Sequence, residues 1–80
     1  MKRHIWRNET KNDGYYGVAV IIAVSSEEAH GTLVKHNSLA AQEYSPWNWE
    51  MITDESTAEI SVQLDYPIFI AENHWKSGLL

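Results

Sequence analysis

The side chains best suited to metal chemistry are four histidines, because the chain has no cysteine. No two of them have the spacing with which a helix presents a pair of zinc ligands. Glu72 and His74 are two residues apart, so both side chains lie on one face if they stand in a strand. Zinc needs three or four convergent ligands, and a third one, such as His4, has to come from another strand. We therefore predict no metal and no cofactor, with a metal-binding or hydrolytic domain as an alternative.

Residues for nucleophilic catalysis are also missing. There is no cysteine, and no serine stands in a G-x-S-x-G turn, which is where a hydrolase nucleophile is exposed. The stretch Gly14-Tyr15-Tyr16-Gly17 lacks the lysine and the spacing of a phosphate-binding loop. A chain of 80 residues also leaves little room for a substrate pocket of about 300 Å³ or more. We predict that the protein is not an enzyme.

Acidic residues dominate the second half of a chain whose net charge is -5. Between Lys35 and Lys76 there are seven acids and no lysine or arginine. Direct binding of nucleic acid requires the opposite, with basic side chains spread along a face. The natural complement is a partner protein with a basic surface, and the alternative is an acidic surface that only aids solubility.

The stretch YSPWNWEM, residues 44–51, concentrates aromatic side chains beside these acids. In an extended segment Trp47, Trp49 and Met51 lie on one face, with Asn48 and Glu50 on the other. Such a row predicts either a flap that completes a small core or an exposed protein-binding face, because tryptophan serves both purposes. The candidate partner-binding residues are Trp47, Trp49, Glu50, Asp54, Glu55, Glu59 and Tyr66.

The elements that must position these residues follow from hydrophobic patterning. Residues 4–7 and 15–24 read as strands joined through an Asn-Asp-Gly turn, and 15–24 is apolar on both faces, as in a central strand. Ser25 and Glu28 form a capping box, which predicts a helix ending near His36. After Pro46, residues 47–52 read as an extended segment, and residues 59–64 and 68–71 as strands.

These elements predict a single α+β domain, residues 1–80, with the order ββα-ββ. It is a small, mostly antiparallel sheet of about four strands with one helix packed on a face. The opposite face is then solvated, covered by the tryptophan-rich segment, or used to form a homodimer. The longest apolar run, residues 18–24, is far shorter than the ~20 residues of a membrane helix, so we expect a cytoplasmic protein.

Two stretches carry a resemblance to known proteins. GVAVIIAVSSEEA, residues 17–29, and VQLDYPIFIAENHW, residues 62–75, resemble parts of short phage- and prophage-encoded accessory proteins. Some of those proteins inhibit host defence, as anti-CRISPR proteins do. The resemblance implies that the protein binds or inhibits a host or phage protein, and it assigns no functional residue.

The function expected from the sequence is therefore a small acidic protein-binding module. A structural or assembly protein that homodimerises through its sheet is the first alternative, and the small metal-binding or hydrolytic domain is the second.

Overall fold

The computed structural model describes residues 3–52 and 65–76, and its centre is a long antiparallel hairpin. Strands β1 (His4–Asn12) and β2 (Tyr15–Ala23) pair along their full length, from His4 with Ala23 to Asn12 with Tyr15. The two residues between them, Asp13 and Gly14, have φ angles of 46° and 82°. Positive φ at both positions is what a type I′ hairpin turn requires, so the Asn-Asp-Gly signal is confirmed.

Two further strands complete the sheet. Strand β3 (Glu50–Ile52) pairs with β1 and strand β4 (Ile68–Lys76) pairs with β2, so the order is β3-β1-β2-β4 and every pairing is antiparallel. The register of β2 against β4 shifts at Val20 and Ile21, which marks a bulge. The predicted α+β class is confirmed, and β2 is a central strand as its two apolar faces indicated.

Two strands are longer than the sequence predicts. Strand β1 extends past residue 7 to Asn12, because the side chains of Asn8 and Thr10 bond to backbone carbonyls that no apolar pattern reveals. Strand β4 extends past residue 71 to Lys76, because β2 offers it partners as far as Tyr15. The strand predicted at residues 59–64 lies outside the described residues.

Helix α1 (Ser26–His36) begins at the predicted cap. Ser25 Oγ accepts the N–H of Glu28 at 3.1 Å, as expected. The second half of the capping box is different, since the Glu28 carboxylate accepts the N–H of Val24 at 3.0 Å and pairs with Arg3 at 2.9 Å. The hydrogen bond from Arg3 is the main reason why the pKa of Glu28 lies below its usual range. A second helix, α2 (Ser38–Ala41), is capped by Asn37.

The core lies between α1 and one face of the sheet. Ala19, Ile21 and Ala23 alternate along β2 and point toward Ala29 and Leu33 of the helix. Alanine on the sheet lets the helix approach closely. Ile21 of β2 and Leu33 of α1 are the large apolar side chains that are fully buried between the two layers. The remaining members of the core are Ala40, Ala41, Tyr44 and Trp49, with Trp6 and Phe69 packed against them. Among the described residues, no helix has the length and apolar character needed to cross a membrane.

Tyr44 lies across the end of the sheet, directly over Gly17. A Cβ atom at Gly17 would stand 2.3 Å from Tyr44 Oη and 2.9 Å from Tyr44 Cζ. No side chain fits at this position, so the glycine is what lets the tyrosine reach from the segment after α2 toward β4.

We predict opposite effects of two glycine-to-alanine substitutions. Gly17→Ala lowers the free energy of unfolding by about 1–3 kcal/mol, because the added methyl group overlaps the Tyr44 ring. Gly31→Ala raises it by up to about 1 kcal/mol, because Gly31 lies inside α1 with no atom within 4 Å of the new methyl group. Urea unfolding of both variants measures the difference. A Gly17→Ala protein as stable as the wild type would show that Tyr44 does not lie over Gly17.

Candidate functional site

The segment between α2 and β3 is fixed to the sheet by polar side chains of β1. Asn8 Nδ2 donates to the carbonyl of Ser45 at 2.8 Å, and Thr10 Oγ1 donates to the carbonyl of Glu43 at 2.5 Å. Asn12 Nδ2 donates to the same Glu43 oxygen at 2.9 Å. The three side chains alternate along β1 and therefore lie on the face that carries the helix. They give these carbonyls hydrogen-bond partners where no strand is available to do so.

A β-turn follows directly on this anchor. The N–H of Asn48 donates to the carbonyl of Ser45 at 3.2 Å, which closes the turn over residues 45–48. Pro46 takes the second position, where its fixed φ suits the turn, and Trp47 takes the third. The N–H of Trp47 also donates to Ser45 Oγ at 3.2 Å. The turn directs Trp47 outward, and its side chain is 88% exposed.

Trp49, two residues later, lies in the core with 7% exposure. Its Nε1–H donates to His30 Nδ1 at 3.1 Å, and the two rings meet edge to face at 6.1 Å. The predicted single row of Trp47, Trp49 and Met51 does not form, because the turn occupies residues 45–48 and the extended segment begins only at Glu50. One tryptophan therefore belongs to the core and the other to the surface.

The exposed indole borders a shallow cavity of about 310 Å³. We call its lining the Trp47 surface, formed by Arg7, Glu9, Trp47, Asn48 and Glu50. Arg7 stands opposite Glu50 in the pairing of β1 with β3, and it forms an ion pair with Glu9 at 3.1 Å. This ion pair is largely exposed, so it contributes little to stability. The Trp47 surface thus has two carboxylates, those of Glu9 and Glu50, and one guanidinium, that of Arg7.

The structure brings together only part of the predicted partner-binding set. Trp47 and Glu50 share the Trp47 surface, whereas Trp49 is buried. Tyr66 is exposed but precedes β4, at the opposite edge of the sheet from β3. Asp54, Glu55 and Glu59 lie outside the described residues. Sequence reasoning missed Arg7 and Glu9, because only the register of β1 against β3 places them beside Glu50.

Glu72 is a correction to the predicted acidic surface, because its side chain is 4% exposed. Its carboxylate accepts the hydroxyl of Tyr44 at 2.8 Å and lies 3.0 Å from His74 Nδ1. These partners make burial of a carboxylate tolerable. Burial and the Glu72 carboxylate raise the pKa of Tyr44 well above its usual range.

The pair Glu72 and His74 shares a face, as predicted, but the structure does not join His4 to it. His4 pairs with Ala23 at one end of the sheet, and His74 pairs with Gly17 near the other. Within the described part of the chain, no three histidine or acidic side chains come close enough to hold a metal ion.

His30 has a pKa below its usual range, because burial disfavours the charged ring. Protonation would also remove the lone pair with which Nδ1 accepts the N–H of Trp49. The pKa of an unfolded histidine is about 6.5. The stability that His30 contributes is therefore complete above that pH and is lost as the pH falls below it.

We predict that the wild type loses more stability between pH 7.5 and pH 5.5 than a His30→Gln variant. Glutamine keeps a hydrogen-bond acceptor and does not titrate, while His4, His36 and His74 are common to both proteins and cancel in the difference. Urea unfolding at the two pH values gives the comparison. Equal losses in the two proteins would contradict the buried Trp49–His30 contact.

Comparison of the chain with family models, with curated proteins and with solved structures gave no match. Its function must be inferred from the geometry of its own side chains.

Proposed function

We propose that the protein is a small protein-binding module that contacts a basic partner protein through the Trp47 surface. The observation that carries this proposal is the 88% exposure of Trp47 on a turn that hydrogen bonds from Asn8 and within the turn hold in place. Tryptophan is among the residues most enriched at the energetic centres of protein interfaces. An exposed indole offers a large apolar surface that a partner can bury on binding.

The rigidity of the turn favours binding. Asn8 holds the carbonyl of Ser45, and Ser45 in turn bonds to the backbone of Trp47 and Asn48. A side chain presented on a fixed backbone loses less conformational entropy on binding than one on a flexible loop. Functional residues on short loops over a rigid scaffold are the usual arrangement in binding proteins.

The charges around the indole define the chemistry of the partner. Glu50 and Glu9 flank Trp47, and the chain as a whole carries a net charge of -5. A partner arginine can stack on the indole face and pair with a carboxylate at the same time, which a lysine does less well. We therefore propose a partner surface that presents arginine beside an apolar pocket for the indole. If the resemblance to phage accessory proteins holds, this partner is a host or phage protein in the cytoplasm, and binding inhibits it.

A second candidate function is homodimerisation through the sheet face opposite α1. Val18 and Val20 of β2 lie on that face beside the cross-strand pair Tyr16 and Trp75, whose rings stack at 5.8 Å. Trp75 is half exposed there. Sedimentation at high micromolar concentration tests this candidate, because a strict monomer removes it.

We predict that Trp47→Ala and Glu50→Lys each abolish capture of the partner from a host lysate. Loss of an anchoring tryptophan weakens an interface by about 2 kcal/mol or more, roughly 30-fold. Trp47 is exposed, so its removal changes stability by no more than about 0.5 kcal/mol, which thermal unfolding checks. Trp75→Ala is the matched control. A protein retained by Trp47→Ala but lost by Trp75→Ala would move the binding site from the Trp47 surface to the Tyr16–Trp75 pair on the same sheet face and contradict the proposal.

Quenching of fluorescence tests the charge beside the indole without any partner. The difference between wild type and Trp47→Phe isolates the emission of Trp47 from that of the other three tryptophans. We predict that the ratio of caesium to iodide quenching is higher for this emission than for free N-acetyltryptophanamide, because nearby carboxylates attract cations. Glu50→Gln lowers the ratio. A ratio below that of the free amide would show that Arg7, not the carboxylates, dominates the surface.

A further inference from the structure

The outer edge of β1 carries backbone groups that the described strands leave unpaired near the hairpin turn. In a two-residue type I′ hairpin the flanking residues, here Asn12 and Tyr15, exchange hydrogen bonds across the two strands. Such pairs alternate with non-bonded ones along an antiparallel ladder, so the backbone of Thr10 also bonds to β2. The N–H and C=O groups of Glu9 and Lys11 therefore point away from β2.

Strand β3 occupies only the first part of this edge. It pairs with Ile5 and Arg7, whose backbone groups point the same way as those of Glu9, and it begins at Glu50, opposite Arg7. The segment before it turns at residues 45–48 and is joined to β1 by side chains of that strand. No described residue forms a hydrogen bond with the N–H or C=O group of Glu9 or of Lys11.

Solvent reaches this part of the edge. Glu9 and Lys11 are both exposed. Glu9 lines the cavity of the Trp47 surface, and both residues line a second shallow cavity of about 280 Å³, which extends to Trp75. An exposed strand edge with unpaired backbone groups is a template for a strand of another chain. Two donors and two acceptors are thus available to an extended segment.

We infer that the partner adds a short extended strand to β1 at residues 9–11, in line with β3, and places an arginine opposite Glu9. The inference rests on the proposed function and deepens it by naming how the partner binds. In this kind of recognition, main-chain hydrogen bonds give affinity and alternate side chains give specificity.

The side chains around this edge select the arginine. A residue that pairs with Glu9 directs its side chain to the same face as Glu9, and that face carries the Trp47 surface. Glu9 already pairs with Arg7, whereas Glu50 has no ion-pair partner among the described residues. An arginine at this position lies within the cavity that Glu50 and the Trp47 indole share, so it can pair with the carboxylate and stack on the ring.

A second copy of the chain fits this edge less well. Antiparallel pairing of Glu9 in one copy with Lys11 in the other would bring Asp13 of the second hairpin opposite Arg7, where Glu50 already lies. Each copy also carries a net charge of -5, which opposes their association. A partner segment that bends away beyond residue 9 avoids the overlap.

Hydrogen exchange of the backbone, measured by NMR, tests the edge in the unbound protein. We expect the N–H groups of Glu9 and Lys11 to exchange roughly tenfold faster or more than those of Asn8 and Thr10, which bond to β2. Equal protection of the four groups would show that the chain itself covers this edge and would overturn the inference.

The probe for binding is an acetylated and amidated pentapeptide, Val-Thr-Ala-Arg-Val, titrated into isotopically labelled protein. Its threonine and arginine pair with Lys11 and Glu9 in an antiparallel arrangement. We expect saturation in the millimolar range, with shifted resonances and slowed exchange at both amides. Methylation of the arginine backbone nitrogen removes a donor that pairing needs and weakens binding roughly tenfold or more. Methylation of the alanine nitrogen, which points away from β1, leaves the affinity within about twofold.

Absence of saturation, or equal binding of the two methylated peptides, would overturn the inference. If both methylated peptides bind equally and both lose binding in Trp47→Ala, the Trp47 surface recognises arginine without strand pairing, and the proposed function stands. A partner captured from lysate by Trp47→Ala as well as by the wild type would contradict the proposed function, whatever the peptides show.

Lys11→Pro tests the edge from the side of the protein. It removes an outward N–H group and places the proline ring on the edge, a position that strands tolerate when the N–H faces solvent. We expect the pentapeptide to bind roughly tenfold more weakly or worse, while Lys11→Ala, which removes only the side chain, keeps binding. Undiminished binding by Lys11→Pro would overturn the inference. Should this variant fail to fold, the two methylated peptides decide the matter on the wild type.

Discussion

The structure depends on a few hydrogen bonds from the side chains of β1 to the backbone of another segment. Asn8, fully buried, and Thr10 face the side of the sheet that should be apolar, and they donate to the carbonyls of Ser45 and Glu43. A segment that crosses a sheet without joining it leaves carbonyls unpaired, and each unpaired buried group costs about 1–3 kcal/mol. The polar side chains offset most of that cost, although Asn8 Oδ1 is itself buried without a partner among the described residues. They let an irregular segment cover the core.

The positions of Tyr44, Trp47 and Trp49 follow from these hydrogen bonds to Glu43 and Ser45. Beyond the carbonyl of Ser45 the chain turns at Pro46, so Trp47 points outward and Trp49 returns to meet His30. Before the anchor, Tyr44 passes over Gly17 and bonds to Glu72. One short segment thus closes the core, presents the exposed indole and supplies the hydrogen-bond donor for the buried Glu72 carboxylate.

The sequence was informative wherever periodicity decides the structure. The apolar alternation of β2, the hairpin turn at Asp13 and Gly14, and the Ser25 cap of α1 are local signals, and all three are confirmed. The α+β class followed from their order. A polar residue such as Asn8 is read as loop by such rules, because its burial depends on a carbonyl 37 residues away in the chain.

The candidate site was predicted only in part, for the same reason. The predicted alternation from Trp47 to Met51 requires an extended segment. The hydrogen bond from the N–H of Asn48 to the carbonyl of Ser45 instead makes residues 45–48 a turn. Arg7 joins the Trp47 surface through strand register, which pattern alone does not fix. The sequence predicts Glu72 as part of an acidic surface, but its pairing with Ala19 places its side chain beside Tyr44.

Hydrogen exchange of the indole N–H groups, resolved by NMR, tests whether the side chains of β1 hold the segment that carries Trp47 and Trp49. Trp6 and Trp49 donate to Ala23 and His30, so both should exchange slowly, and the N–H of exposed Trp47 should exchange fast. In Thr10→Val, which keeps shape but removes the donor, exchange at Trp49 should accelerate while Trp6 stays slow. Slow exchange at Trp47, or a Trp49 rate unaffected by the substitution, would contradict the account.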